Sequence, residues 1–111
     1  MNLKIQTLSH FEREVKKLFK KYKKLPQDLK NLQAELLQNP KSGIDLGGCC
    51  YKIRVANTSV PTGKRGGFRV IYYYYQESDN TIYLMSIYSK SEIENIDDKM
   101  IETILQENQL L

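Results

Sequence analysis

The residues best suited to chemistry are basic side chains in the middle of the chain, and Arg69 is the most unusual of them. It lies in the run FRVIYYYY (68–75), whose residue types are typical of a largely buried strand. A buried arginine is costly unless it is paired or faces a wet cleft. Because arginine stays protonated at neutral pH and binds phosphate through two parallel hydrogen bonds, Arg69 is a candidate anion ligand.

Four further cations are predicted to lie near Arg69. Lys52 and Arg54 alternate with apolar residues in CCYKIRVA (49–56) and so share one strand face, while Lys64 and Arg65 belong to a glycine-rich loop. If the strands 49–56 and 68–75 pair in a compatible register, Arg69 shares that face with Lys52 and Arg54. The loop that carries Lys64 and Arg65 then lies above them. The pattern predicts a basic, anion-binding patch. The alternatives are that Arg54 or Arg69 pairs with acids of the C-terminal tail, and that Lys64 and Arg65 form an ordinary solvated loop tip.

The tyrosine run is weaker evidence for a binding surface. Strand periodicity separates it into two faces: Phe68, Val70, Tyr72 and Tyr74 on one, Arg69, Ile71, Tyr73 and Tyr75 on the other. Exposed aromatic rings can stack on bases, but alternating tyrosines more often pack at the edge of a core with their hydroxyls in water. Tyr88 is the exception to consider, because it ends a strand beside Lys90, where coverage is expected to be less complete.

Charge is distributed unevenly along the chain. The net charge is +4, but residues 1 to 75 contain 15 Lys and Arg against 5 Asp and Glu, whereas residues 76 to 111 contain 2 against 8. A basic body of this kind fits a protein that meets a polyanion such as nucleic acid. The alternative is that many of the lysines lie on solvated helix faces.

The 111 residues are enough for a single domain, 1–111, with one core. Ser9 and Glu12 have capping-box spacing at the start of a helix, and Asp97 can cap a last helix. We expect an α+β fold in which an antiparallel sheet, made of an N-terminal strand and a three-stranded meander, packs with an N-terminal helical hairpin and a C-terminal helix. The predicted elements are a strand at 2–7, helices at 10–23 and 26–39, strands at 49–56, 68–75 and 81–89, and a helix after residue 97.

Other chemistries find little support in the sequence. Cys49 and Cys50 are adjacent and read as reduced thiols at a strand start, and with the lone His10 they form no recognisable metal set. We therefore expect no metal ion or other cofactor. Paired carboxylates, nucleophile motifs and phosphate-binding glycine fingerprints are absent. The sequence also lacks a secretory signal and an apolar stretch of the ~20 residues that a membrane helix needs, so we expect a cytoplasmic protein without membrane contact.

Three segments in this order, behind a lysine-rich helical hairpin, resemble the RelE/ParE toxin superfamily, above all its HigB-like and RelE-like branch. They are GGCCYKIRVA (47–56), GKRGGFRVIYYY (63–74) and IYLMSIYSKSEIENI (82–96). The resemblance implies a RelE-like fold and a type II toxin, an endoribonuclease that cuts mRNA in the ribosomal A site. It also implies a cognate antitoxin, HigA-like or RelB-like, that holds the toxin inactive.

The resemblance also assigns roles to individual residues. Arg69 is implied to stabilise the scissile phosphate, and Lys90 occupies the basic position after the last strand. Lys52, Arg54, Lys64 and Arg65 match basic RNA-binding positions. We expect Lys90 to act as base or charge stabiliser and Tyr88 as a helper, because a dense cluster of cations would lower the pKa of both from about 10.

One position departs from the pattern. The tyrosine that RelE carries in the last segment falls near Ile96, which can do no acid–base work. Two alternatives to the endoribonuclease therefore remain. One is a ParE-like gyrase inhibitor, and the other is a catalytically weak domain that binds RNA and the antitoxin.

Overall fold

The computed structural model describes residues 2–61, 66–77 and 79–110. Within these ranges the chain forms five strands and three helices. In chain order they are β1 (Lys4–Thr7), α1 (Ser9–Lys21), α2 (Leu25–Gln38), β2 (Ile44–Gly47), β3 (Cys50–Val55), β4 (Phe68–Tyr74), β5 (Thr81–Ser89) and α3 (Asp98–Glu107).

The strands form one sheet in the order β1-β5-β4-β3-β2. Strands β3, β4 and β5 pair antiparallel with their chain neighbours, as expected for the meander. Strand β1 pairs with β5 in parallel. This is possible because β1 is followed by the two helices of the hairpin and not by a tight turn into a neighbouring strand. The predicted α+β class, with a mostly antiparallel sheet, a helical hairpin and a C-terminal helix, is confirmed.

Local details differ from the prediction at two places. Residues 44–47, predicted to be a loop, pair antiparallel with β3 as the edge strand β2. The helix α1 begins at Ser9 itself, so Leu8 is the N-cap residue and Ser9 makes no capping bond. Glu12 instead accepts a hydrogen bond from the Thr7 hydroxyl at 2.5 Å. At α3 the predicted cap is present, because an Asp97 oxygen accepts from the backbone N–H of Lys99 at 3.0 Å.

The helical hairpin covers one face of the sheet. The predicted β4 alternation is confirmed here, since Phe68, Val70, Tyr72 and Tyr74 all lie in this core. Buried Asp28 fixes α2 to the segment that follows β3: its carboxylate accepts hydrogen bonds from the Thr58 backbone N–H at 3.1 Å and from the Thr58 hydroxyl at 2.7 Å.

The opposite face is covered at one end by α3. Its Ile101, Ile104 and Leu105 pack with Ile71 of β4 and Met85 of β5 in a second cluster. The strand ends that carry Arg54, Arg69 and Tyr88 lie at the other end of this face. Among the described helices, none is long and apolar enough to cross a membrane.

Candidate active site

A row of three residues crosses the sheet on the face that carries α3. Arg54 of β3 pairs with Arg69 of β4, and Arg69 pairs in turn with Tyr88 of β5. Lys52 lies two residues from Arg54 on β3 and therefore points to the same side of the sheet. The register thus places Lys52, Arg54 and Arg69 on one face, as the sequence predicted.

Arg69 is the buried centre of this row. Only 6% of it is exposed, and its Nη1 donates a hydrogen bond to the Phe68 carbonyl oxygen at 3.2 Å. Burial lowers the pKa of the guanidinium, and the charge of Arg54 lowers it further, while Tyr88 opposes this effect. The site therefore concentrates positive charge in a poorly solvated place, where an anion would be attracted strongly.

The two lysines of the site contact the segment that leads from β5 to α3. Lys52 Nζ donates to the Asn95 side-chain oxygen at 3.3 Å, and Lys90 Nζ donates to the Glu94 carbonyl oxygen at 2.7 Å. The Lys90 backbone N–H also donates to the Gly67 carbonyl oxygen at 3.0 Å, which fixes Lys90 beside the start of β4. Both ammonium groups are thus held by uncharged acceptors that phosphate oxygens could replace.

Tyr88 differs from the sequence-based expectation in two respects. It is only 3% exposed, because the segment after β5 folds back near it, and its hydroxyl makes no hydrogen bond of good geometry to any described residue. Burial raises the pKa of this hydroxyl; the backbone of Ile96 and the charge of Arg69 lower it by less. The predicted lowering of the Tyr88 pKa is therefore wrong, because the loss of hydration outweighs the neighbouring cation.

Of the other positions singled out in the sequence, the structure describes Ile96 but not Lys64 and Arg65. Ile96 is half-buried and packs against the α3 cluster, so it plays an apolar role. Lys64 and Arg65 lie outside the described residues, and their RNA-binding role stays a prediction.

The sequence reading missed a pair of residues on α1. His10 was predicted to stand alone, but its Nε2 lies 3.3 Å from the Glu14 carboxylate, one helical turn further on. The same Glu14 oxygen accepts hydrogen bonds from the Ser86 hydroxyl at 2.8 Å and from the Ile87 backbone N–H at 3.0 Å. The sequence did contain a signal for the pair, because His10 and Glu14 are four residues apart and so lie on the same side of a helix.

The arrangement can bind and polarise an anion. Among the residues that the structure describes, no group of three or more His, Cys, Asp and Glu side chains is placed to hold a metal ion. Arg69, Arg54 and the two lysines supply the charge, and Tyr88 supplies a hydroxyl that stays protonated at neutral pH.

Comparisons with known proteins show the family and the fold of the chain. The family described as the RelE toxin of the RelE/RelB toxin–antitoxin system matches residues 4–109. The E. coli toxin RelE, solved as a mutant in the free state, superposes with a TM-score of 0.61 at 17% identity, over 96% of this chain and 98% of that chain. That likeness shows a common fold.

A conserved hypothetical protein from Helicobacter pylori, HP0892, is a more distant match, with a TM-score of 0.48 at 22% identity over 81% of this chain and 97% of that chain. The family match spans nearly all of the sequence and contains every residue of the candidate site. The chain therefore belongs to the RelE toxin family of the RelE/RelB toxin–antitoxin system.

Proposed function

We propose that this protein is a ribosome-dependent endoribonuclease, the toxin of a type II toxin–antitoxin pair, and that it cuts mRNA in the ribosomal A site without a metal ion. The reaction is attack of a ribose 2′-OH on the adjacent phosphate, with release of the 5′-oxygen of the next nucleotide. The observation that carries the proposal is the cross-strand row of Arg54, Arg69 and Tyr88, with Lys52 and Lys90 beside it.

Arg69 is proposed to bind the scissile phosphate. Attack by the 2′-OH adds negative charge to the phosphoryl oxygens, and a fixed cation in a poorly solvated site stabilises that charge more than water does. Arg69 and Arg54 repel each other in the free protein. A phosphate between them would relieve this repulsion, so the transition state gains from both arginines.

Lys52 and Lys90 are proposed to guide the RNA strand to Arg69. Each donates to an uncharged oxygen of the 94–95 segment, at 3.3 Å and 2.7 Å respectively. A charge-assisted bond to phosphate is about twice as strong as a neutral one. Exchange of these acceptors for phosphate oxygens would also loosen the segment that covers Tyr88, which opens the site as RNA binds.

Proton transfer is assigned to Tyr88 and Lys90. The Tyr88 hydroxyl carries its proton at neutral pH and is therefore the candidate acid that donates to the departing 5′-oxygen; its raised pKa makes it a weak acid, which limits the share of the rate that it supplies. Lys90 is the candidate base or charge stabiliser. With Ile96 in place of a second tyrosine, much of the rate would come from the geometry that the ribosome imposes on the message.

The second candidate function is a catalytically weak domain that binds RNA and the antitoxin. Two observations, at Ile96 and at Tyr88, favour it. Ile96 offers no acid–base group, and the Tyr88 hydroxyl is buried. Such a domain would bind RNA through the same cations but leave the message intact.

The partners are proposed to be mRNA on the ribosome, in the cytoplasm, and a cognate antitoxin that covers the basic face with an acidic or helical segment. Charge reversal of Lys52, Arg54, Lys64 and Arg65 to Glu should then weaken antitoxin capture in a pull-down. Unchanged capture would remove the basic face from the antitoxin interface.

Expression in bacteria with mapping of mRNA 5′ ends tests the function. We expect codon-phased cuts that vanish in Arg69→Ala and persist in Arg13→Ala, which changes an exposed arginine of α1 that is not part of the row. Plasmid supercoiling is measured in the same cells. A supercoiling defect without cuts would instead support the gyrase inhibitor, and neither effect together with retained RNA binding would support the weak binding domain.

A further inference from the structure

A cavity of about 190 Å³ lies between α1, β5 and the segment before α3. One wall is polar and carries His10, Glu14, Ser86 and Tyr88. The segment before α3 and the start of α3 complete the lining with the apolar side chains of Ile93, Ile96 and Met100 and the polar ones of Asn95 and Asp97. Tyr88 also belongs to the row that contains Arg69, so the cavity adjoins the proposed cleavage site.

Two buried polar atoms in this cavity, the Tyr88 hydroxyl and His10 Nε2, have only weak neighbours among the described residues: the backbone of Ile96 lies near the hydroxyl, and Glu14 lies near the imidazole. Neither atom has a hydrogen-bond partner of good geometry among those residues, although His10 Nε2 lies 3.3 Å from Glu14. Buried groups left in this way cost stability, and a native chain usually satisfies them with water or a ligand. Glu14 already receives the Ser86 hydroxyl and the Ile87 N–H, which holds the polar wall in place.

The dimensions and polarity of the cavity restrict its occupant. Pockets for drug-sized ligands have volumes of roughly 300–1,000 Å³, so this cavity suits a single ring system. A lining that combines hydrogen-bonding groups with apolar side chains matches a planar heteroaromatic ring, which has hydrogen-bonding groups at its edge and apolar faces. RNA bases that are read individually are held in this way, by hydrogen bonds at the base edge and packing on the ring faces.

We propose that this cavity binds one base of the mRNA, and that His10 and the Tyr88 hydroxyl select its identity through hydrogen bonds to the base edge. The inference rests on the proposed function, because it takes the phosphate at Arg69 as the anchor of the nucleotide. Adjacent strands are about 4.8 Å apart, so a cavity lined by Tyr88 on β5 lies about one strand spacing from Arg69 on β4. A base attached to the anchored phosphate can therefore reach it.

Nuclear magnetic resonance on the purified toxin tests the proposal. The probes are four RNA trinucleotides that differ in one base and carry 2′-deoxyribose at the cleavage position, which prevents cutting. The imidazole signals of His10 and the side-chain signals of Arg69 are followed separately. We expect one base to shift His10 saturably and to bind roughly tenfold more tightly than the weakest base, as for one added hydrogen bond.

Two variants and one control complete the experiment. His10→Ala removes a base contact, and Met100→Trp fills the mouth of the cavity; each should abolish the base preference while the Arg69 response remains. Gln106→Trp adds a ring of the same size on an exposed position of α3 outside the cavity and should keep the preference. If His10→Ala does not fold, Met100→Trp alone decides.

The other outcomes overturn the proposal in distinguishable ways. An Arg69 response without a His10 response, or a preference that survives both variants, rejects the base pocket and leaves the endoribonuclease standing. No response at either residue also rejects the base pocket, whereas the endoribonuclease is decided separately by cutting on ribosomes. A His10 response to the purified antitoxin but not to RNA assigns the cavity to the partner protein and rejects the base pocket.

Discussion

Arg54 lies directly opposite Arg69 across the β3–β4 ladder, so two guanidinium groups share one face of the sheet. Like charges directly opposite each other destabilise a sheet. Among the described residues, Arg54 forms no ion pair. The charge of Arg54 lowers the pKa of the Arg69 guanidinium, and a phosphate bound at the proposed RNA site would offset this repulsion.

The first prediction concerns this repulsion. Arg54→Gln removes one of the two opposed charges, so we expect the free energy of unfolding to rise by about 0.5 kcal/mol at low salt. Screening by salt should stabilise the wild type more than the variant. Urea denaturation in low and high sodium chloride measures both effects. Lys16→Gln, which removes an exposed charge on α1, is the control; an equal effect there would mean that general repulsion, and not the Arg54–Arg69 pair, is responsible.

A second prediction separates catalysis from stability at Tyr88. Tyr88→Phe breaks no hydrogen bond of good geometry, so the free energy of unfolding should change by less than about 0.5 kcal/mol. Loss of a proton donor should nevertheless slow mRNA cutting about 10²-fold or more. The rate of cutting is measured on purified ribosomes, and the free energy of unfolding is measured by urea denaturation.

Tyr83→Phe is the matched control for Tyr88. Tyr83 lies on the same strand and donates to the Asp79 carboxylate at 2.6 Å, so its loss breaks a bond at the surface but should leave cutting intact. Full activity of Tyr88→Phe would exclude Tyr88 as the acid.

Much of this fold follows from local patterns, and the site only partly does. The alternation of β4 predicted which residues face the hairpin, and Asp97 was identified as a cap, because both depend on neighbouring residues alone. β2 could not be predicted, since four exposed residues become a strand only by pairing with β3. The burial of Tyr88 depends on a segment that folds back over the sheet, and no periodicity in the sequence encodes that contact.

A third prediction follows from the buried thiol. Burial raises the pKa of Cys50 from its ordinary value of 9.0 to about 11. The unfolded chain therefore loses this proton first, so stability is full below pH 9 and falls as the pH rises from 9 to 11. Urea denaturation across this range should show a fall in the free energy of unfolding that Cys50→Ala makes smaller by up to about 2.7 kcal/mol, from two pKa units at about 1.36 kcal/mol each. Cys49→Ala keeps Cys50 and should keep the fall; a fall identical in all three proteins would contradict the assignment.

The fourth prediction tests how α2 is attached. Asp28→Ala removes both hydrogen bonds that Thr58 donates to the buried carboxylate, so we expect a loss of about 2–3 kcal/mol in the free energy of unfolding. Thr58→Val removes only the hydroxyl bond and should cost about half as much. Urea denaturation measures both variants. Equal costs would show that the backbone bond to Asp28 contributes little.

Cleavage by this protein is tested most directly on purified ribosomes that carry an mRNA with a defined A-site codon. The proposed reaction predicts one cut in that codon, dependent on the ribosome, absent when the attacking ribose is replaced by 2′-deoxyribose, and slowed about 10²- to 10³-fold by Arg69→Ala, with partial recovery in Arg69→Lys. Cutting by Arg69→Ala at the wild-type rate, or equal cutting of the deoxyribose message, would contradict it.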